Sequence, residues 1–106
     1  MSGFESREKA LEAKFEHDQL VDFKITARRN RLLGLWVAEQ LNKTGAEAES
    51  YARQLVELAT TMPAIQDLLH HIKQDFMQAG IDITDHRLMR QLELCHKSAV
   101  QQITQE

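Results

Sequence analysis

Apolar residues recur at steps of three and four along most of this chain, the spacing that puts them on one face of a helix. Ala48, Tyr51, Ala52, Leu55, Leu58 and Ala59 form one such set, Ile65, Leu68, Leu69, Ile72 and Phe76 a second, and Leu88, Leu92, Cys95, Ala99 and Ile103 a third. Turn signals separate them. Asn42-Lys43-Thr44-Gly45 ends the preceding segment, and Thr44 with Glu47 has the spacing of a capping box, so a second helix starts there and ends near Thr60. Pro63 is tolerated in the first turn of a third helix that stops at Gly80, and Asp82 or Thr84 caps a fourth. No alternating strand pattern, internal repeat or low-complexity tract is visible. The expected fold is all-α, a small antiparallel four-helix bundle with short connections.

The segment before Asn42 has a different character. From Phe4 to Leu41 there is no proline and one glycine, Gly34. A helix over that segment would be roughly 57 Å long at 1.5 Å per residue, whereas a compact domain of this size has a radius of gyration near 13 Å. Either it breaks, or its first half projects or stays mobile until something covers it. At 100° per residue Phe4, Leu11 and Phe15 fall within about 40° of one another. Glu8 and Asp18 border this stripe, Asp22 lies on its continuation, and mixed charges at i to i+4 spacing surround it. Three apolar anchors on a solvated helix match the helix-in-groove mode of recognition; the alternative is a frayed terminus whose Phe15 folds back on the bundle. Beyond Val21 the helix changes. Leu32, Leu33, Leu35, Trp36, Val37 and Leu41 leave almost no polar side, as expected of the element at the centre of the bundle.

Charge sharpens the picture at one place. The chain of 106 residues carries a formal charge of −3, yet Lys24, Arg28, Arg29 and Arg31 follow one another with no acid between Asp22 and Glu39. None of the four has an acid three or four positions away. Their counter-charge comes from another helix, with Asp67 and Asp75 as candidates, from solvent, or from an anionic ligand. Arginine forks suit phosphate, and Trp36 or Tyr51 could offer an aromatic face to a nucleotide. The four glycines are isolated, so Walker and dinucleotide-fold loops are excluded. Nucleic acid would bind such a short cluster on an acidic protein only weakly and in a salt-sensitive way.

Other chemistry is thin. No two histidines have the i, i+4 spacing of a helical zinc site, Cys95 sits in an apolar row apart from neighbouring His96, and no carboxylate pair stands out, so an enzyme is not expected. A single cysteine excludes an internal disulfide and fits a reducing compartment. The longest apolar run, Leu32 to Ala38, is far shorter than the roughly 18 residues of a membrane span, and the start of the chain has no signal-peptide pattern, so the expectation is a cytoplasmic protein. His17, beside Glu16 and Asp18, is either merely exposed or able to tune docking by charging between about pH 5 and 8.

The run Phe4-Glu5-Ser6-Arg7-Glu8-Lys9-Ala10-Leu11-Glu12-Ala13-Lys14-Phe15-Glu16-His17-Asp18, then Phe23-Lys24, Ala27-Arg28-Arg29-Asn30-Arg31-Leu32-Leu33-Gly34-Leu35-Trp36 and Lys43-Thr44-Gly45, closely resembles the zeta-subunit family. These are ATPase inhibitors of bacterial F-type ATP synthases. The likeness spans residues 1 to about 60, fades between Thr60 and Gln78, and returns in Ala79-Gly80-Ile81-Asp82 and Thr84 to Arg90. Family members often carry an acidic turn where this chain has Thr61-Met62-Pro63-Ala64. The resemblance implies a four-helix bundle whose N-terminal segment inserts between subunits of the catalytic head and blocks ATP hydrolysis. It also implies ADP or ATP as a regulatory ligand, with no cofactor required. Its expected division is an inhibitory arm over 1–18 and a bundle over 19–106. Helix geometry and charge select Phe4, Leu11 and Phe15 as anchors, Arg7 and Lys14 as flanking charges, and Arg28, Arg29 and Arg31 for the nucleotide. The resemblance places the protein peripheral to the inner membrane through the synthase, with neither membrane insertion nor nucleic acid expected. The competing readings are a nucleotide-sensing or scaffold bundle without inhibitory action, and a weak nucleic-acid adaptor.

Overall fold

A computed structural model describes the backbone of residues 2–106 and the side chains of residues 6–106. Four helices follow one another, α1 (Ser2–Gln40), α2 (Gly45–Ala59), α3 (Ile65–Gln78) and α4 (Asp85–Thr104), with no strand among the described residues. The first helix does not break. At about 1.5 Å per residue its 39 residues reach roughly 58 Å, and its N-terminal half projects, drawing the molecule out to 66 × 26 × 21 Å with a radius of gyration of 17.6 Å.

Gly34 lies inside the continuous α1 where that helix packs directly on the backbone of α2. A Cβ at this position would stand 2.7 Å from the Ala52 Cα and 3.2 Å from the Ala52 Cβ. Backbone, not a flexible side chain, blocks it. Gly34→Ala gains up to about 1 kcal/mol in helix propensity, but forcing two packed helices apart costs about 1–3 kcal/mol. A net loss of stability is expected, read as a lower Tm or denaturation midpoint; a more stable variant would show that the crossing is not tight.

The helix ends follow local chemistry, with two corrections. Asn42 takes a left-handed φ of 61°, and the Lys43 N–H donates to the Ala38 carbonyl at 2.9 Å, closing α1 with asparagine in the place glycine usually holds. Gly80 (φ 73°) closes α3 in the same way, through Ile81 N–H to the Phe76 carbonyl at 2.9 Å, and Ile81 packs on the core. The expected Thr44–Glu47 capping box does not form. Thr44 occupies the N-cap, but its hydroxyl caps nothing, because Gly45 turns left-handed (φ 55°) directly after it and carries the first-turn donors away; only a main-chain bond, Glu47 N–H to the Thr44 carbonyl, spans the turn. Pro63 is not in the first turn of α3: the N-cap is Ala64, in extended conformation, and the proline precedes it. Of the two candidate caps for α4, Thr84 serves, its hydroxyl accepting from the Arg87 N–H at 3.1 Å.

The core gathers Leu33 and Val37 of α1, Leu55 of α2, Leu68, Leu69, Ile72 and Phe76 of α3, and Leu88, Leu92 and Cys95 of α4. All five positions expected to line α4 are buried. Backbones approach closely along α1–α2 and α1–α4, while α3 stands further off and reaches the core with long side chains. No helix among the described residues is long and apolar enough to cross a membrane.

Candidate functional site

Every described side chain from Ser6 to Leu20 faces solvent. Leu11 is 69% exposed and Phe15 63%, so neither folds back on the bundle. Arg7 and Lys14 are exposed beside them, as is His17. The Phe4 side chain, expected as a third anchor, lies outside the described residues. Among the described residues of this arm no ion pair closes, so the mixed charges around Leu11 and Phe15 remain solvated. What holds the arm helical is its continuity with the packed half of α1, which supplies the nucleus an isolated helix lacks. Leu20 and Phe23 are also exposed, Phe23 by 67%. Sequence reasoning passed over this pair, which lies about 80° to 140° round the helix from Phe15; three-residue apolar spacing was the available signal.

Where the arm meets the bundle the cations divide between two sides of α1. Phe23, Ala27, Val56 and Ile103 floor a groove of about 350 Å³, rimmed by Lys24, Arg28, Arg31 and Glu106. The counter-charges here are neither Asp67 nor Asp75. Arg28 donates to Gln102 Oε1 at 2.7 Å and to Glu106 Oε1 at 2.9 Å on α4 and the residues just after it, and Arg31 donates to Glu49 Oε2 at 2.9 Å on α2. Helical spacing hid these partners because they are 78 and 18 residues away in the chain. Both pairs are part-exposed, so each holds its arginine only weakly and a doubly charged ligand could displace the carboxylate. Arg29, one position on, turns about 100° away and lines a separate cavity beside Asn30 and the start of α3. Partial burial lowers its pKa from the usual arginine value by desolvation, with the neighbouring Cys95 acting in the opposite sense.

Neither aromatic expected beside the arginines lines that groove. Trp36 packs against Phe76 with ring centroids 6.3 Å apart and lies under the Arg87 guanidinium at 5.7 Å. Tyr51 donates to Asp75 Oδ2 at 2.7 Å, joining α2 to α3, while His71 Nε2 approaches the same oxygen at 3.5 Å. Burial, then the bond to Asp75, pushes the Tyr51 phenol well above its ordinary range, so it stays a neutral donor. The aromatic available to the groove is Phe23. Cys95 is a packed thiol: burial pushes its pKa up, and its polar neighbour is Gln91 Nε2 at 3.9 Å. Among the described residues no group of three or more potential ligands is placed to hold a metal ion.

The arrangement offers surfaces rather than a reacting centre: an uncovered amphipathic arm, and a cation-rimmed groove at its root. No curated protein gives a match to the chain. A family model described as ATPase inhibitor subunit zeta matches residues 1–102, which takes in the arm, the three cations of the groove and nearly all of α4. With that match over almost its whole length, the chain belongs to the ATPase inhibitor subunit zeta family.

Proposed function

We propose that this protein inhibits ATP hydrolysis by an F-type ATP synthase by inserting residues 1–18 between subunits of the catalytic head, the bundle of residues 19–106 remaining outside. The observation that carries this reading is that every side chain from residue 6 to residue 20 is exposed on a helix already formed. Leu11 and Phe15 anchor the arm in an apolar groove, and Arg7 and Lys14 meet acidic rims. A rotary motor opens and closes its interfaces in each cycle, so a wedge with higher affinity for one state stops turnover without chemistry. The protein needs no catalytic residue for this. Its place in the cell is on the synthase, peripheral to the membrane.

Adenine nucleotide is the regulatory ligand of this reading. Phosphates would sit on Lys24, Arg28 and Arg31, with the Phe23 ring available to the base; Arg29 lines a different cavity. A nucleic-acid adaptor gains nothing from the structure, since Arg29 is turned aside and the cations form no continuous run on one face.

The test is steady-state ATPase of a purified bacterial F-type motor with intact protein and with Leu11→Ala/Phe15→Ala. Losing two anchors that become buried weakens inhibition by about a hundredfold or more, from roughly 1.5–3 kcal/mol per large apolar side chain. Inhibition unchanged by the double substitution would remove the anchoring role and favour the scaffold reading.

A further inference from the structure

We infer that the cavity between the middle of α1 and the start of α3 is a binding site for a small phosphate-type oxyanion, separate from the groove of Arg28 and Arg31. Its volume is about 170 Å³, below the roughly 300 Å³ where pockets for larger organic ligands begin. That suits one tetrahedral anion and excludes a whole nucleotide.

Three kinds of donor, two on neighbouring residues of α1 and one at the start of α3, line this cavity with part of their polar capacity unspent. The Arg29 guanidinium is the first. Its Nε donates to Asn30 Oδ1 at 3.1 Å, and unlike Arg28 and Arg31 it has no carboxylate in ion-pair reach among the described residues. The two terminal nitrogens of the fork, the pair that grips oxyanions bidentately, donate to no group among the described residues. Partial burial strips this cation of water without supplying a counter-charge, and an anion would offset that loss. Asn30 is the second. It is 3% exposed, the one polar residue among the buried side chains described, and it sits on a helix otherwise buried through apolar groups. Arg29 occupies its oxygen and leaves the NH2 as its free donor. That NH2 has no acceptor among the described residues, yet it is not sealed from solvent.

The third is the first turn of α3. Ala64 at the N-cap brings no side-chain oxygen, and the Ile65 and Gln66 N–H groups have no partner among the described residues. A 14-residue helix thus turns its positive end toward the cavity uncapped. Met62, Pro63 and Leu68 supply apolar walls that raise the strength of any charge contact inside. One charge opposes. Asp67 stands in the same first turn with no ion-pair partner among the described residues, and its negative charge near the helix start weakens the site.

Titration of the intact protein with sodium phosphate at constant ionic strength, followed by amide NMR, tests this directly, with sodium chloride as the control. Saturable shifts are expected at the Asn30 side-chain NH2 and at the Ile65 and Gln66 N–H, with Gln102 and Glu106 unmoved. Arg29→Lys keeps the charge and loses the fork, and should weaken binding by about tenfold while preserving the helical circular dichroism. Asp67→Asn should tighten binding several-fold. A parallel titration with ADP and with adenosine identifies the source. If phosphate and ADP both move these amides and adenosine does not, the site takes a phosphate group free or esterified; if phosphate alone does, it takes the free ion. No saturable shift with phosphate, an equal shift with chloride, shifts confined to the Arg28 groove, or an affinity unaffected by Arg29→Lys would each overturn the assignment. None of these outcomes depends on whether the arm inhibits an ATPase.

Discussion

A protein lacking residues 1–18 folds with the stability of the intact chain and no longer inhibits the ATPase. The two halves of this expectation rest on the same observation. No described side chain in that segment is buried, so its removal takes nothing from the core and should change unfolding free energy by no more than the ~0.5 kcal/mol typical of surface changes. The new start of α1 would fall just before Val21, its first partly covered side chain, and the packed half from Asn30 to Ala38 is left whole. Inhibition behaves differently, because the energy of docking resides in what the bundle does not use. Leu11 and Phe15 lie in water in the free protein, and burying both in a partner supplies roughly 3–6 kcal/mol, or about a hundredfold and more in affinity. The cost of ordering the arm is already met, since α1 is continuous and its nucleus sits in the bundle. Thermal unfolding and ATPase titration on the same preparation check both halves. A truncated protein that unfolds many degrees lower would mean the arm packs at home, and one that still inhibits at full strength would place the wedge elsewhere.

Much of this was legible in the residues, for reasons that can be named. The buried faces of α3 and α4 are the apolar rows at three and four residue steps, because a helix with one partnered side writes its contacts into its own spacing. The arm was legible only in part: its stripe is narrow and closely bordered by acids, yet helical spacing left open whether Phe15 folds back on the bundle. What escaped depended on distance along the chain. Glu106 and Glu49 meet Arg28 and Arg31 only after α4 and α2 have folded onto α1, so no local rule could select them over Asp67 and Asp75. Gly34 and Ala52 mark the helix crossing, yet nothing in either neighbourhood says that their backbones touch. Asn30 reads as one more polar residue in a basic run until its burial is seen. The missing capping box at Thr44 follows from one φ angle at Gly45, a property that spacing does not encode.

Phe76→Ala should be the costliest of these substitutions for stability, at about 3–5 kcal/mol for a buried phenylalanine. That is a large part of the 5–15 kcal/mol by which domains are usually stable. Phe76 is 1% exposed, faces the Trp36 ring at 6.3 Å, and its carbonyl receives the Ile81 N–H that ends α3. The position matters more than its size alone suggests, because α3 is held chiefly by side chains. Removing the ring leaves Leu68, Leu69 and Ile72 to hold the helix, together with the Tyr51–Asp75 and Lys73–Asp85 contacts at its flanks. Part-exposed polar contacts of that kind contribute about 1 kcal/mol each or less, too little to replace the ring. Trp36, the only tryptophan, reports on the site directly. Its fluorescence should change in the folded variant, and the urea midpoint read from it should fall steeply while that of Leu11→Ala stays fixed. A loss under about 1 kcal/mol, as for a surface change, would mean that α3 docks through its flanking polar bridges and that the ring is incidental. The same variant separates the two halves of the molecule, because wherever it is still folded the arm remains exposed and should inhibit as the intact protein does.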